Sequence, residues 1–202
     1  MGNLRGLRNG LLFLNIAILW GAGATTTLPM NLQKLSQRAQ AVVHGTVTSV
    51  ELEDGVRVAQ VKVDERVRGV SVPDTLRVEL LQRASRAGGW VERVGGAVEL
   101  RPGEEVLLFV KQSPQTGRWV PVGLQQGKYR VVHDRYGVRR ALSWRDANIN
   151  HVSDADLLTS ARFEASRRAG LVSAANLGLS EKQVESLSSL NDLINQVRGY
   201  AP

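Results

Sequence analysis

Cysteine is absent from the 202-residue chain. That removes thiol nucleophiles, cysteine-ligated metal sites and disulfide-scaffold folds together. Aromatic residues are scarce at 5%, so any core must be built from aliphatic side chains. With only three histidines, imidazole chemistry is confined to His44, His133 and His151. There is no His-Glu-x-x-His run and no Gly-x-Ser-x-Gly elbow. The Gly-Gly pairs at 88–89 and 95–96 lack the following Lys-Ser/Thr and helix start of a phosphate cradle. Internal repeats and low-complexity tracts are also missing. The one sustained apolar stretch, Leu11 to Ala24, is 14 residues long, short of the ~20 that span a bilayer as a helix.

What remains is the composition of a globular protein, 43% hydrophobic and 22% charged. The N-terminus has the layout of a secretory signal. Arg5 and Arg8 form a basic n-region, Leu11 to Trp20 an apolar h-region, and Ala22 and Ala24 the small-x-small site a signal peptidase accepts. Residues 1–24 are therefore expected to be removed, giving a secreted or periplasmic protein with no transmembrane anchor. Arg5 and Arg8 are two of 26 basic residues, so the remaining 24 against 19 acids leave a mature charge of +5. The basic residues are spread along the chain, which reads as a solvated surface more than a binding patch.

Periodicity then assigns a short helix from Asn31, with Leu32, Leu35 and Ala39 on one face, followed by strands. In "AVVHGTVTSVE", Ala41, Val43, Gly45 and Val47 share one face, and Val42, His44, Thr46 and Thr48 the other. Gly45 on the inward face predicts a bend or a close neighbour, whereas His44 is expected on the outward face beside threonines. Asp54-Gly55 predicts a hairpin, and a phase slip near Ala59-Gln60 predicts a bulge. Further strands are expected at "TLRVELL", "EVLLFV" (apolar on both faces and so central), "RWVPV", "GKYRVVH" and "VRRAL". Gln82 to Gly103 reads as a long irregular connection. Helices are expected after Ser153 and after Ser180, the second interrupted at Ser188-Ser189. The fold class is thus mainly β: a small antiparallel OB-like barrel over 31–145, a short N-terminal helix, and a C-terminal helical extension over 150–202.

The order "RAQAVVHGTVTSVE … VKVDERVRG … PGEEVLLFV … QQGKYRV" resembles a group of exported bacterial proteins of unassigned function. Its layout also resembles the netrin and tissue-inhibitor-of-metalloproteinases type of OB barrel. That resemblance implies a barrel over Leu32 to Val132 and, as one function, protease inhibition or association. Inhibitors of that type use an N-terminal cysteine on the enzyme's zinc, and this chain has none, so that mechanism does not carry over.

Candidate chemistry is sparse. Glu104 and Glu105 are adjacent on a strand and so diverge to opposite faces, which favours a polar rim over an acid/base pair. His44, His133 and Asp134 would form a two-His-one-Asp metal set only if their strands were neighbours, and surface histidines are the favoured reading. Lys128, Tyr129, Arg130, Arg135 and Tyr136 interleave bases and aromatics as a nucleic-acid groove does, but export argues against nucleic acid. Trp90, within Gly88, Gly89 and Arg93 of the glycine-rich connection, is either an exposed partner anchor or a plug closing one barrel end. The sequence therefore implies no catalytic residues, no metal and no cofactor. It implies a non-enzymatic exported binding module with a partner contact at Gly88, Gly89, Trp90 and Arg93, the partner being another exported protein such as a protease. The alternatives are a protease inhibitor and a metal-dependent envelope enzyme. N-terminal sequencing of protein recovered after export should begin at Thr25; a chain still starting upstream of Leu11 would show that the segment is retained.

Overall fold

The computed structural model describes residues 28–84, 91–93, 95–148 and 179–200. The expected signal segment and the helix expected after Ser153 lie outside these residues. The described residues open with α1 (Leu32–Arg38), whose N-cap Asn31 accepts from the Lys34 N–H at 2.8 Å. β1 (Ala41–Glu53) and β2 (Val56–Gly69) form a long hairpin around Asp54-Gly55, both at positive φ. That is the turn chemistry which matches strand twist. β3 (Thr75–Ala84), β4 (Val91–Arg93), β5 (Glu105–Gln112), β6 (Trp119–Pro121), β7 (Lys128–His133) and β8 (Arg139–Ser143) follow. The described residues end in α2 (Trp144–Asn148), α3 (Glu181–Ser186) and α4 (Leu190–Gly199).

Five strands close on themselves in the order β1-β2-β3-β6-β5 and back to β1, a barrel compatible with the OB type. The seam between β3 and β6 is parallel, a single bridge from Val78 to Trp119; every other pairing is antiparallel. Along its first half β5 turns its free edge to β7, which continues the sheet outward as the β7–β8 hairpin.

β5 is buried on both faces, as its uninterrupted apolar run requires. Val106, Leu108 and Val110 fill the barrel with Val43, Val47, Val61 and Leu76. Leu107 and Phe109 point away from it, into a second core made with Val42, Val131, Leu35 of α1 and four residues of α4. Helix α4 contributes Leu190, Leu193, Ile194 and Val197, one face of a short amphipathic helix. Ser180 with Gln183 forms a full capping box on α3, and Ser189 caps α4. The expected interruption at Ser188-Ser189 is thus real, but it separates two helices.

Three expectations change. Gln82 to Gly103 is not an irregular loop throughout. Gln82–Ala84 extends β3, Val91–Arg93 returns against it, and Val98 and Leu100 enter the barrel core. The buried Gln82 side chain holds that return by donating to the Val98 carbonyl at 3.3 Å. The bulge expected at Ala59-Gln60 sits on the facing strand: Val50 pairs with Ala59 and Ser49 with Gln60, and Thr48 is the extra residue. His44 does lie on the Val42 side of β1, but that side is covered, and His44 is only 4% exposed.

Gly45 behaves as expected. A Cβ there would fall on the Lys62 carbonyl oxygen, where β1 and β2 shift register. Gly45→Ala should therefore destabilise by about 1–3 kcal/mol, the usual cost of overpacking. The check is urea unfolding, with a lower midpoint at unchanged slope; an unchanged midpoint would disprove the close approach.

Candidate functional site

Two groups of polar side chains sit at the start of β5, one on each face, because Glu104 and Glu105 are neighbours. On the barrel side the buried Glu104 carboxylate meets Lys128 Nζ at 2.7 Å and Arg130 Nε at 2.5 Å, and accepts the Arg101 N–H at 3.1 Å. Burial alone would push its pKa up, but the two cations overcome that and hold it at about 2. On the outer side Glu105 accepts from His44 Nε2 at 2.8 Å, with Arg139 3.5 Å away. The His44 hydrogen bond outweighs desolvation there and, with His133 and Arg139 nearby, keeps Glu105 below the ordinary carboxylate range.

His44 is thus bonded to Glu105, not to Asp134. Asp134 instead closes the β7–β8 turn, accepting from the Tyr136 and Val138 N–H groups and pairing with Arg140 at 2.9 Å. Among the described residues no three His, Cys, Asp or Glu side chains are placed to share a metal. The interleaved bases and aromatics of β7 do not form a stacking platform. Lys128 and Arg130 face Glu104, while Tyr129 lies on the other face against Phe109, ring centroids 5.9 Å apart. Arg135 is spent on Glu181 and Glu185 of α3.

Of the expected partner contact, Gly88, Gly89 and Trp90 lie outside the described residues. Arg93 is on β4 in register with Gln82.

A cleft of about 460 Å³ opens where α1, the β7–β8 hairpin and the C-terminal helices meet. Covering the outer face of β5 with separate helices leaves this gap between them. Tyr129 of β7, Ser143 of β8 and Trp144, Arg145 and Asp146 of α2 line one side, and Asn31 and Ser186 to Ser188 the other. Asp146 Oδ2 accepts from the Ser143 N–H at 3.0 Å and from its hydroxyl at 2.6 Å, which fixes the start of α2. The exposed Arg145 guanidinium lies 5.8 Å from the Trp144 ring centre. Burial, reinforced by Asp146, raises the Tyr129 pKa above its ordinary value, so its hydroxyl stays protonated at neutral pH. In the sequence the one local trace of this cleft is Ser143-Trp-Arg-Asp146, the spacing of a capping box.

No protein-family model matches the chain, and comparison with curated proteins and with solved structures finds no match.

The buried Glu104 cluster makes acid stability predictable. A carboxyl held at about 2 when folded, against an ordinary 4.5, stabilises the fold fully above pH ~4.5 and loses that contribution as pH falls toward 2. Glu104→Gln should cost about 3 kcal/mol at pH 7 by leaving two cations facing a neutral amide. It should also flatten the stability profile between pH 4.5 and 2. Denaturant titrations across that range are the check, and parallel profiles for the two proteins would contradict it.

Proposed function

We propose that the chain is an exported, non-enzymatic binding module whose ligand seats in the cleft between α1, the β7–β8 hairpin and the C-terminal helices. The observation that carries this reading is the make-up of the cleft. It combines an aromatic wall at Trp144 and Tyr129 with an acid, a base and several neutral polar groups, at a volume of about 460 Å³. Concave sites with a few convergent polar groups on an apolar wall are the usual form of a ligand pocket.

The same groups favour binding over turnover. General acid–base catalysis is most efficient with a group titrating near neutral pH, and a serine nucleophile needs an adjacent base. The Tyr129 phenol is held protonated, and the Ser143 hydroxyl is committed to the Asp146 carboxylate that caps its own helix. The export half of the proposal rests on Arg5, Arg8 and the Leu11 to Ala24 segment. Among the described residues no helix is long and apolar enough to cross a membrane. The netrin-type likeness is an analogy of strand layout, supported at the coarser level by the closed five-strand barrel. It is the ground for keeping another exported protein, such as a protease, as the second kind of partner.

Saturation-transfer NMR of a fragment library against the full mature chain tests the cleft. Binders are expected whose signals weaken in Trp144→Ala while the variant's melting temperature stays within a few degrees of wild type. A library with no Trp144-dependent binder would end the reading.

A further inference from the structure

The chemistry of the cleft narrows the class of ligand, and the inference rests on the cleft being the binding site. We infer that the cleft takes a neutral polyhydroxylated ligand, a saccharide ring laid on Trp144 with its hydroxyls bonded to Tyr129 and Asp146.

Charge is the first ground. Arg145 and Asp146 are consecutive and both line the cleft, so an anion gains Arg145 but meets Asp146, and a cation does the reverse. Neither sign of ligand is selected by Coulomb energy, and a neutral one pays for neither.

Hydrogen-bonding capacity is the second. Among the described residues the Tyr129 hydroxyl has no hydrogen-bond partner. Asp146 directs Oδ2 at Ser143 and, among the described residues, leaves Oδ1 without a donor. One donor and one acceptor thus belong to the same cavity. A purely apolar ligand, such as an acyl chain, would desolvate both and satisfy neither. Vicinal hydroxyls donate and accept at once, so they complement this pair.

The aromatic wall is the third. Trp144 is half-buried and lines the cleft, with the Arg145 guanidinium against its ring. A flat, partly covered ring is a surface for the apolar C–H face of a pyranose. An extended peptide that binds by strand addition would need a free strand edge. The edge of β8 beside the cleft is already taken: the Ala141 N–H donates to the Ser188 carbonyl at 3.0 Å, and Arg140 bridges to Ser189.

The experiment titrates the mature full-length chain by calorimetry and saturation-transfer NMR. The probes are maltotriose, cellotriose and triacetylchitotriose, with acetyl-trialanine amide as the peptide arm. At least one saccharide should bind saturably. Tyr129→Phe, which keeps the ring on Phe109, should weaken it about three- to tenfold, the range of one lost hydrogen bond. Trp144→Ala should weaken it about tenfold or more by removing the apolar face. Tyr136→Ala, at the exposed hairpin tip, should change nothing and serves as the folding control. Saccharide binding indifferent to both cleft substitutions would overturn the assignment. So would Trp144-dependent binding of the peptide with no saccharide binding; that outcome leaves the cleft as a binding site and removes only the ligand class. If neither probe class binds and the fragment library is also silent, the cleft itself is not the site.

Discussion

The structure depends on one strand that has no wet face. β5 carries Val106 to Val110 without a polar interruption, and both of its edges are hydrogen-bonded. Each such side chain contributes about 1.5–3 kcal/mol only if it is covered. The barrel covers Val106, Leu108 and Val110 but can do nothing for Leu107 and Phe109. Those require a second layer, and α1 and α4 supply it. At 7 and 10 residues these helices are too short to persist alone. They exist because the back of β5 needs them, and the cleft exists because two short helices and a hairpin do not tile that surface completely.

Glu104 and Glu105 make the same strand specific. Adjacent carboxylates on a strand go to opposite faces, and each finds cationic or imidazole partners there: Lys128 and Arg130 inside, His44 and Arg139 outside. A slip of one residue would exchange the faces, setting Glu105 against apolar walls and taking the Glu104 carboxylate away from Lys128 and Arg130. These pairs therefore help to fix register as well as contributing stability.

What could be read from the sequence was what is local. Asp54-Gly55, the Asn31 cap, the Ser180–Gln183 box and the two-faced apolar run of β5 each sit within a few residues of one another, and each appears where its pattern places it. Gly45 was legible because a glycine on an inward face has few other uses. The environment of His44 was not. A period of two says which side of a strand a residue occupies, but not whether that side is wet. Thr46 and Thr48 make it look wet, whereas Glu105 meets His44 across the β1–β5 pairing, and Val42 on the same side packs with Leu190 to Val197 from the far end of the sequence. Glu104 reads as a rim residue in the sequence but is buried, since Lys128 and Arg130 reach it across a strand pairing. The cleft draws on α1, β7, β8, α2 and the α3–α4 link at once, and no single segment announces it.

Because α1 and α4 meet over the back of β5, the first and last described helices complete one surface. A chain emerging from the ribosome can pair β1 with β2 early, since their turn is two residues long. It cannot seal the outer core until Val197 has been made, by which time β5 has long been exposed. The outer core therefore waits on contacts of long sequence separation, which slow folding. Under the export proposed above, that delay would serve the chain, since a segment still lacking its outer cover is easier to thread through a membrane than a finished barrel.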